Sequence, residues 1–454
     1  MGSTTESARE QNSGAYFKRG IGFALASGIC YGLYTAFLTL AETQGEWANW
    51  FSGAPWGDGM APLGTFAVAF ALAALAAGLN DLISGIWSLL ACVRNQQLGD
   101  LWKTVRSKPG WVMMVCAVVG GPFATVAYVV GLNFATAAGN PGAIVPVAAL
   151  NCAIGAVLGR IFFKQDLGSR KILGIIICLA AGAIIGGTGF AAPDSGVLIG
   201  CGFALIAAFC WGFEGCVAGF GTSLIDYRIG ICIRQLTAGI IELAVMYPLL
   251  MAVGGDSALT ASVFSAAIGN PLALIFVISG FFAMPAFSFW YKGNSMCGTA
   301  LGMACNGMYA FWGPFFIWLV MGVLGIGGLS EQYPPLSAVQ WVGAVIMAVG
   351  IFVIAIDKKD LAERIGSRKT AGTLPPLHYA IIRCFEGGWT GSAADVMSNL
   401  QPDYGRYKLF TEHDIEEVLA TARENGLLET EDKAGRTCYK MTPFGSKLTQ
   451  QYLG

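Results

Sequence analysis

The chain has 454 residues, of which 55% are hydrophobic and only 12% charged, with 62 glycines and a mean hydropathy of +0.60. A soluble domain carries about 25% charged residues, so this composition excludes a water-soluble globule and points to an all-α polytopic membrane protein. The formal net charge of −1 says little as a total, but Lys and Arg divide into 14 before residue 357 and 13 after it. Both histidines, His378 and His413, also lie in the tail, which therefore reads as a separate soluble piece.

The polar start, MGSTTESAREQNSGAYFKRG, runs straight into a full-length apolar span without a small-residue cleavage site, so no cleavable signal peptide is expected. Spanning a bilayer core takes about 20 apolar helical residues. Ten segments meet that length: roughly 20–41, 62–93, 111–133, 141–164, 172–190, 196–221, 229–252, 268–291, 297–325 and 338–356. The second is overlong and is expected to tilt or to begin with an interfacial turn. In the first loop, Trp47, Trp50, Phe51 and Trp56 stand among acidic residues and are expected at the headgroup level; a substrate-gating role is the competing reading. Of 13 cysteines, all but Cys384 and Cys438 lie in or at the ends of apolar spans, so free buried thiols are expected rather than disulfides.

The odd-to-even loops, 42–60, 134–140, 191–195, 253–267 and 326–337, hold no Lys or Arg. The opposite side carries Lys18 and Arg19, Arg94 to Lys108, Arg160 to Lys171, Arg228 and Arg234, Lys292, and Lys358 with Lys359. Basic residues are retained on the cytoplasmic side, which places both termini inside a cytoplasmic (inner) membrane.

Two internal matches suggest a repeat. GIGFALASGICYGL at 20–33 and GCGFALIAAFCWGF at 200–213 share G-x-G-F-A-L and then Cys, an aromatic, Gly and a large apolar residue. Pro122, Tyr128, Thr136-Ala137 and Gly139 recur with their own spacing as Pro285, Tyr291, Thr299-Ala300 and Gly302. Five spans per half is an odd number, so the halves insert with opposite topology. Inverted repeats of this kind characterise secondary transporters, with the substrate near the midplane between them. The expected organisation is a tail at 1–19, a first five-helix repeat at 20–190, a second at 196–356, a linker at 357–373 and a soluble unit at 374–454.

On these residues the chain resembles the drug/metabolite transporter superfamily in its ten-helix, EamA-type form. The resemblance is carried by FALIAAFCWGF in span six, by IFFKQDLGSRKILGIIICLAAGAII at 161–185 and by GLSEQYPPLSAVQWVGAVIMAVGIFVIA at 328–355. It covers residues 20–356 and departs from the usual acidic-basic turn at Lys164-Gln165-Asp166. It implies a basket of ten helices around a central cavity, moving a small polar or organic metabolite or drug by alternating access, through proton coupling or exchange. No motif selects a substrate.

An ionisable group inside a span needs a partner or a wet cavity. Asp81, Glu214 and Glu242 qualify as proton or cation sites, the competing reading being carboxylates hydrogen-bonded to a neighbouring helix or paired with Arg234. Asp81 and Glu242 fall on paired spans two and seven but do not align residue for residue, while Glu214 stands where the first half has Tyr34. Arg234 lies five residues from a basic loop and is expected to snorkel to the interface. Asn80, Asn151, Asn306, Tyr128, Trp211, Trp290, Tyr291 and Trp312 complete the cavity candidates. Pro122, after Gly120-Gly121, is expected to distort its helix and free backbone carbonyls. No metal set, phosphate loop or nucleophile-base pair is visible, so neither a cofactor nor an enzyme is expected.

The unit from residue 374 reads as three helices, a hairpin around Lys433–Arg436 and a closing helix, an α+β arrangement similar to a winged helix. It holds 8 basic and 11 acidic residues, and its third helix starts with Glu412, Asp414, Glu416 and Glu417. Phosphates would repel that helix. Expected partners are therefore the lipid bilayer, a small-molecule substrate, and a second copy or a regulatory protein at residues 374–454, with DNA disfavoured. A membrane sensor that binds a ligand and signals through the tail is the alternative to a transporter.

Overall fold

The computed structural model describes residues 2–57, 59–137, 144–163, 167–185, 195–221, 225–269, 273–328, 330–332, 335–355, 377–405, 410–424, 426–433 and 435–453, with side chains from residue 18. Eight helices are long and apolar enough to cross a membrane: Lys18–Glu42 (α1), Ala67–Arg94 (α2), Gly110–Ala135 (α3), Ser195–Val217 (α4), Tyr227–Val253 (α5), Ala273–Cys297 (α6), Thr299–Val323 (α7) and Ala338–Ala355 (α8). They turn large apolar side chains outward, among them Trp111, Leu249, Leu274, Val345 and Phe352, each about 60% exposed or more. A soluble monomer does not show so much contiguous apolar surface, and lipid is the solvent that suits it. The protein is a multi-pass membrane protein.

One of the ten expected spans differs: the segment at 141–164 is broken by a turn at 149–150 into Ile144–Ala148 and Asn151–Phe163. The segment at 172–190 is helical over its described part, Ser169–Ile185. Both run into residues outside the described set. The overlong second span contains a wide π-turn at Ala67–Ala71.

The loop expected between spans seven and eight is instead largely helical, over Ser257–Leu259 and Thr260–Gly269. It is tied down by Tyr247, whose hydroxyl donates to the Thr260 carbonyl at 2.8 Å, and by Asp256, which accepts from the Gly64 N–H at 3.0 Å. The tryptophans of the first loop, expected at the headgroup level, are covered by protein: Trp47, Trp50 and Trp56 are at most 3% exposed. The short helix Gly45–Ser52 puts Trp47 and Trp50 on one face, and that face meets Phe276 of α6 (Trp47, 5.4 Å between ring centres) and Trp56 (Trp50, 5.5 Å).

The spans pack in matching pairs. Helix α1 lies on α6 and α7, whereas α4 lies on α3 and on Asn151–Phe163; α2 packs on α5, and Ser169–Ile185 on α8. The glycines of the repeated string make these contacts close. A Cβ at Gly20 would lie 2.7 Å from Met296 of α6, and one at Gly200 2.7 Å from the Gly131 carbonyl of α3. A Cβ at Gly32 would meet Trp312 of α7 at 2.6 Å, and one at Gly212 would meet Ile154 at 2.8 Å. Between α2 and α5 the contact is reciprocal, with Gly78 against Leu243 and Gly239 against Leu82. Small residues permit such approach where no water drives helices together.

The tail folds as expected into Leu377–Arg383 (α9), Ala393–Tyr404 (α10), Glu412–Glu424 (α11), an antiparallel hairpin of β1 (Leu428–Lys433) and β2 (Arg436–Met441), and Pro443–Leu453 (α12). Gly391 adds an isolated bridge to Tyr439. Phe385, Val396, Ile415, Leu419 and Leu428 form its core, which Met296 and Phe23 of the membrane helices join. Lys447 pairs with Asp100 at 3.3 Å, and the Lys103 ammonium lies 5.7 Å above the Phe444 ring.

Helix α10 opens with a reciprocal cap, the Ser392 hydroxyl accepting from the Asp395 N–H and the Asp395 carboxylate accepting from the Ser392 N–H. The Ser392 N–H first, and then its hydroxyl, hold the Asp395 carboxyl below the usual range. A carboxylate favoured by folding stabilises above its unfolded pKa and loses that contribution as pH falls through its folded value. Ser392→Ala is therefore expected to weaken the start of α10. The check is faster hydrogen exchange at 393–404 in the full chain, with a wild-type advantage that shrinks below pH 4.

Candidate functional site

The membrane interior is organised by one arginine. Arg234 sits two turns into α5 and is wholly buried, so it does not snorkel to the interface as its position near a basic loop suggests. Its Nε donates to Glu214 Oε1 of α4 at 2.8 Å, and its Nη1 donates to Asp81 Oδ2 of α2 at 2.6 Å. Nη2 reaches Glu214 Oε2 at 3.5 Å, and Nη1 also contacts Gln235 Oε1. Below the plane, the Phe287 ring centre is 4.2 Å from the guanidinium carbon. A planar cation with five donors suits such multiple pairing, which a lysine could not make.

Further side chains fix the acids. The Tyr291 hydroxyl donates to Glu214 Oε1 at 2.5 Å, and the Gln235 amide donates to Ser84 Oγ at 2.8 Å. Asn80, beside Asp81, places its Oδ1 2.7 Å from the Ser279 hydroxyl, which also lies 3.0 Å from the Tyr34 carbonyl. The expected break at Pro122 is a π-turn over Val119–Phe123. It turns Gly120 toward the cluster, and a Cβ there would collide with the Glu214 carboxylate. The freed Gly120 carbonyl accepts from Trp211 Nε1 at 3.0 Å.

Phe287 also lines a small cleft of about 10 Å³, shared with Tyr31, Asn151, Trp211, Trp290, Asn306 and Tyr309. That is about the room one water needs, far below the ~300–1,000 Å³ of sites that hold drug-sized ligands. Trp290 Nε1 and the Tyr309 hydroxyl are buried without a hydrogen-bond partner among the described residues, while Asn306 donates to Ser27 Oγ at 2.7 Å. Orphaned buried donors are costly, and widening of the cleft to admit a polar group would satisfy them. Phe287 thus touches both the neutral, aromatic and amide-lined cleft and the ionic cluster.

Most of the sequence candidates converge here. Asp81, Glu214 and Tyr291 belong to the ionic cluster and Asn80 adjoins it. Asn151, Asn306 and Trp211 line the cleft. Tyr34 stacks on Phe287 at 6.2 Å, and Tyr128 packs on Trp211 at 5.2 Å. Glu242 is wholly buried beside them and has no hydrogen bond to either oxygen among the described residues. Asp81 and Glu242 each follow, three residues on, one glycine of the reciprocal Gly78–Leu243 and Leu82–Gly239 contact. About this contact they hold matching positions, although the sequence does not align them residue for residue. Trp312 packs among Phe311, Phe315 and Phe316 and does not line the cleft. Sequence reasoning missed Gln235, Phe287, Tyr31 and Tyr309, and it misplaced Arg234. The signal available for Arg234 was arithmetic: three acids inside spans require a cation among them.

No protein-family model matches this chain, and no curated protein matches it. A solved structure described as "Crystal structure of protein" superposes with a TM-score of 0.48 at 17% identity, covering 76% of this chain and 99% of that one.

Removing one partner of a buried, hydrogen-bonded ion pair costs about 3–5 kcal/mol because the other charge is stranded. Arg234→Met should lower stability by that amount, and adding Glu214→Gln with Asp81→Asn should restore part of it, as read by thermal unfolding in detergent. Gly120→Ala should cost about 1–3 kcal/mol by overpacking and should disturb the Glu214–Tyr291 contact. Gly22→Ala, at a glycine with open space around its Cβ position, should leave the unfolding curve unchanged.

Proposed function

We propose that this protein is a secondary transporter of the drug/metabolite transporter type, moving a small polar or organic solute by alternating access, through proton coupling or exchange. The observation that carries this reading is the aromatic and amide-lined cleft resting, through Phe287, on the buried Arg234–Glu214–Asp81 cluster. Intramembrane ionisable groups arranged beside a polar cavity mark substrate and ion pathways. The matching pairs of helices support two inverted repeats, since α1 meets α6 and α7 through the glycines that correspond to those with which α4 meets α3 and Asn151–Phe163. Adding the segments at 141–164 and 172–190 to the eight long helices gives the ten of the family pattern. The small volume of the cleft fits an occluded or empty state that must open to admit its solute.

For the tail, the order helix, isolated bridge at Gly391, two helices, hairpin and closing helix supports the winged-helix reading. The acidic start of α11 favours protein contact over DNA. Its seat on Met296, Phe23 and Asp100 puts it where movement of the spans would be felt. The same seat is what favours the second reading, a membrane sensor that binds its ligand without moving it and signals through the tail.

Uptake and efflux in proteoliposomes across a metabolite panel, with and without an imposed proton gradient, separates the two readings. Flux is expected in the wild type and is expected to vanish in Glu214→Gln with Asp81→Asn. Flux that survives both changes sinks the role given to the cluster, and saturable binding without flux favours the sensor. Asn151→Ala should raise the half-saturation concentration by up to about tenfold, the loss of one hydrogen bond to the solute.

A further inference from the structure

We propose that Glu242 is a proton-binding site, and that the proton it holds decides which carboxylates Arg234 pairs with. The inference deepens the transport reading only in its consequence for coupling; the proton site stands on the geometry. Glu242 opens the π-turn Glu242–Met246 of α5, is wholly buried, and has neither oxygen within hydrogen-bonding reach of a donor among the described residues. Short π-turns recur at functional sites. The surfaces facing it are glycines: a Cβ at Gly78 would lie 3.0 Å from its Cβ, and one at Gly121 3.3 Å from its Oε1.

The charged groups that act on Glu242 are Asp81 from α2 and Arg234 from its own helix, with Glu214 of α4 held on the far side of Arg234. Nothing charged comes from the π-turn at 119–123, where the facing residues are glycines. Arg234 has Nε committed to Glu214 and Nη1 to Asp81 and Gln235, with Nη2 turned to Glu214. An ionised carboxylate at Glu242 would be left bare in a low-dielectric interior, at a cost far above that of any unpaired neutral group. The species that fits is the neutral acid. When the O–H bond breaks and the proton leaves to water, the new carboxylate can be satisfied only by drawing the guanidinium from Asp81, its equivalent on the other helix of the reciprocal contact. Arg234 is then shared among three acids, and the proton count on Glu242 sets its position. Since Arg234 lies on Phe287, a wall of the cleft, that movement reaches the cleft.

Infrared difference spectroscopy on the purified full-length protein in lipid reads the proton directly. At neutral pH a protonated-carboxyl band is expected in the wild type and in Glu214→Gln, and it should be lost in Glu242→Gln. No change of that band in Glu242→Gln overturns the proposal. Glutamine mimics the neutral acid, so Glu242→Gln should keep the wild-type unfolding midpoint. A drop of many degrees, or failure to fold, also overturns it, because it means the wild-type side chain is ionised and paired. In proteoliposomes, Glu242→Gln should retain substrate exchange yet lose its response to an imposed proton gradient, whereas a retained gradient response overturns the coupling role. Absence of flux in every protein while the band behaves as expected defeats the transport reading and supports the proton site.

Discussion

A guanidinium cannot be left unpaired in the middle of a bilayer, and the interior of this protein is arranged around meeting that requirement for Arg234. Its donors fix the distance between α2, α4 and α5, since Asp81, Glu214 and Arg234 come from those three helices. Its flat face fixes α6 through Phe287. Glu214 in turn demands Gly120, because any side chain there would occupy the space of the carboxylate. One cation thereby constrains four long helices and the π-turn on a fifth.

Such a cluster is weak evidence for stability, because desolvation offsets most of the attraction between buried charges. Its value lies in having few alternatives. Arg234 has two carboxylate partners, and a third acid, Glu242, has no donor among the described residues. The energy separating those pairings is a balance of large terms, so a single proton can decide it. That is the property a coupled carrier needs, and it is also what a ligand sensor could use. Phe287, which lies on Arg234 and lines the cleft, ties the neutral cleft to the position of that charge.

How much of this was legible in the sequence varies by kind. Charge depletion and the length of apolar runs sufficed for the membrane class and for most span positions, because a bilayer imposes a length on every helix. The repeated string at Gly20 and Gly200 suggested a repeat, but the close helix contacts that its glycines make are visible only in three dimensions. The break at 149–150, the helix at 260–269 and the burial of Trp47 and Trp50 were not legible. Each depends on what the neighbouring element presents, and an apolar run reads alike whether it faces lipid or protein.

Sequence alone determined which residues must be accounted for: three acids inside spans, an arginine near them, and asparagines within apolar segments. These follow from the cost of charge and polarity in hydrocarbon, which is a property of residue type and depth. Only the tertiary structure decided the pairing. Asp81 and Glu242 occupy matching places beside Gly78 and Gly239, yet one binds Arg234 and the other has no hydrogen-bond partner among the described residues. Arg234 has no counterpart on α2, where Ala73 stands the same eight residues before Asp81. An asymmetric cation in a symmetric pair of helices can reach only one of two like acids at a time, and which one it reaches is set by packing in three dimensions.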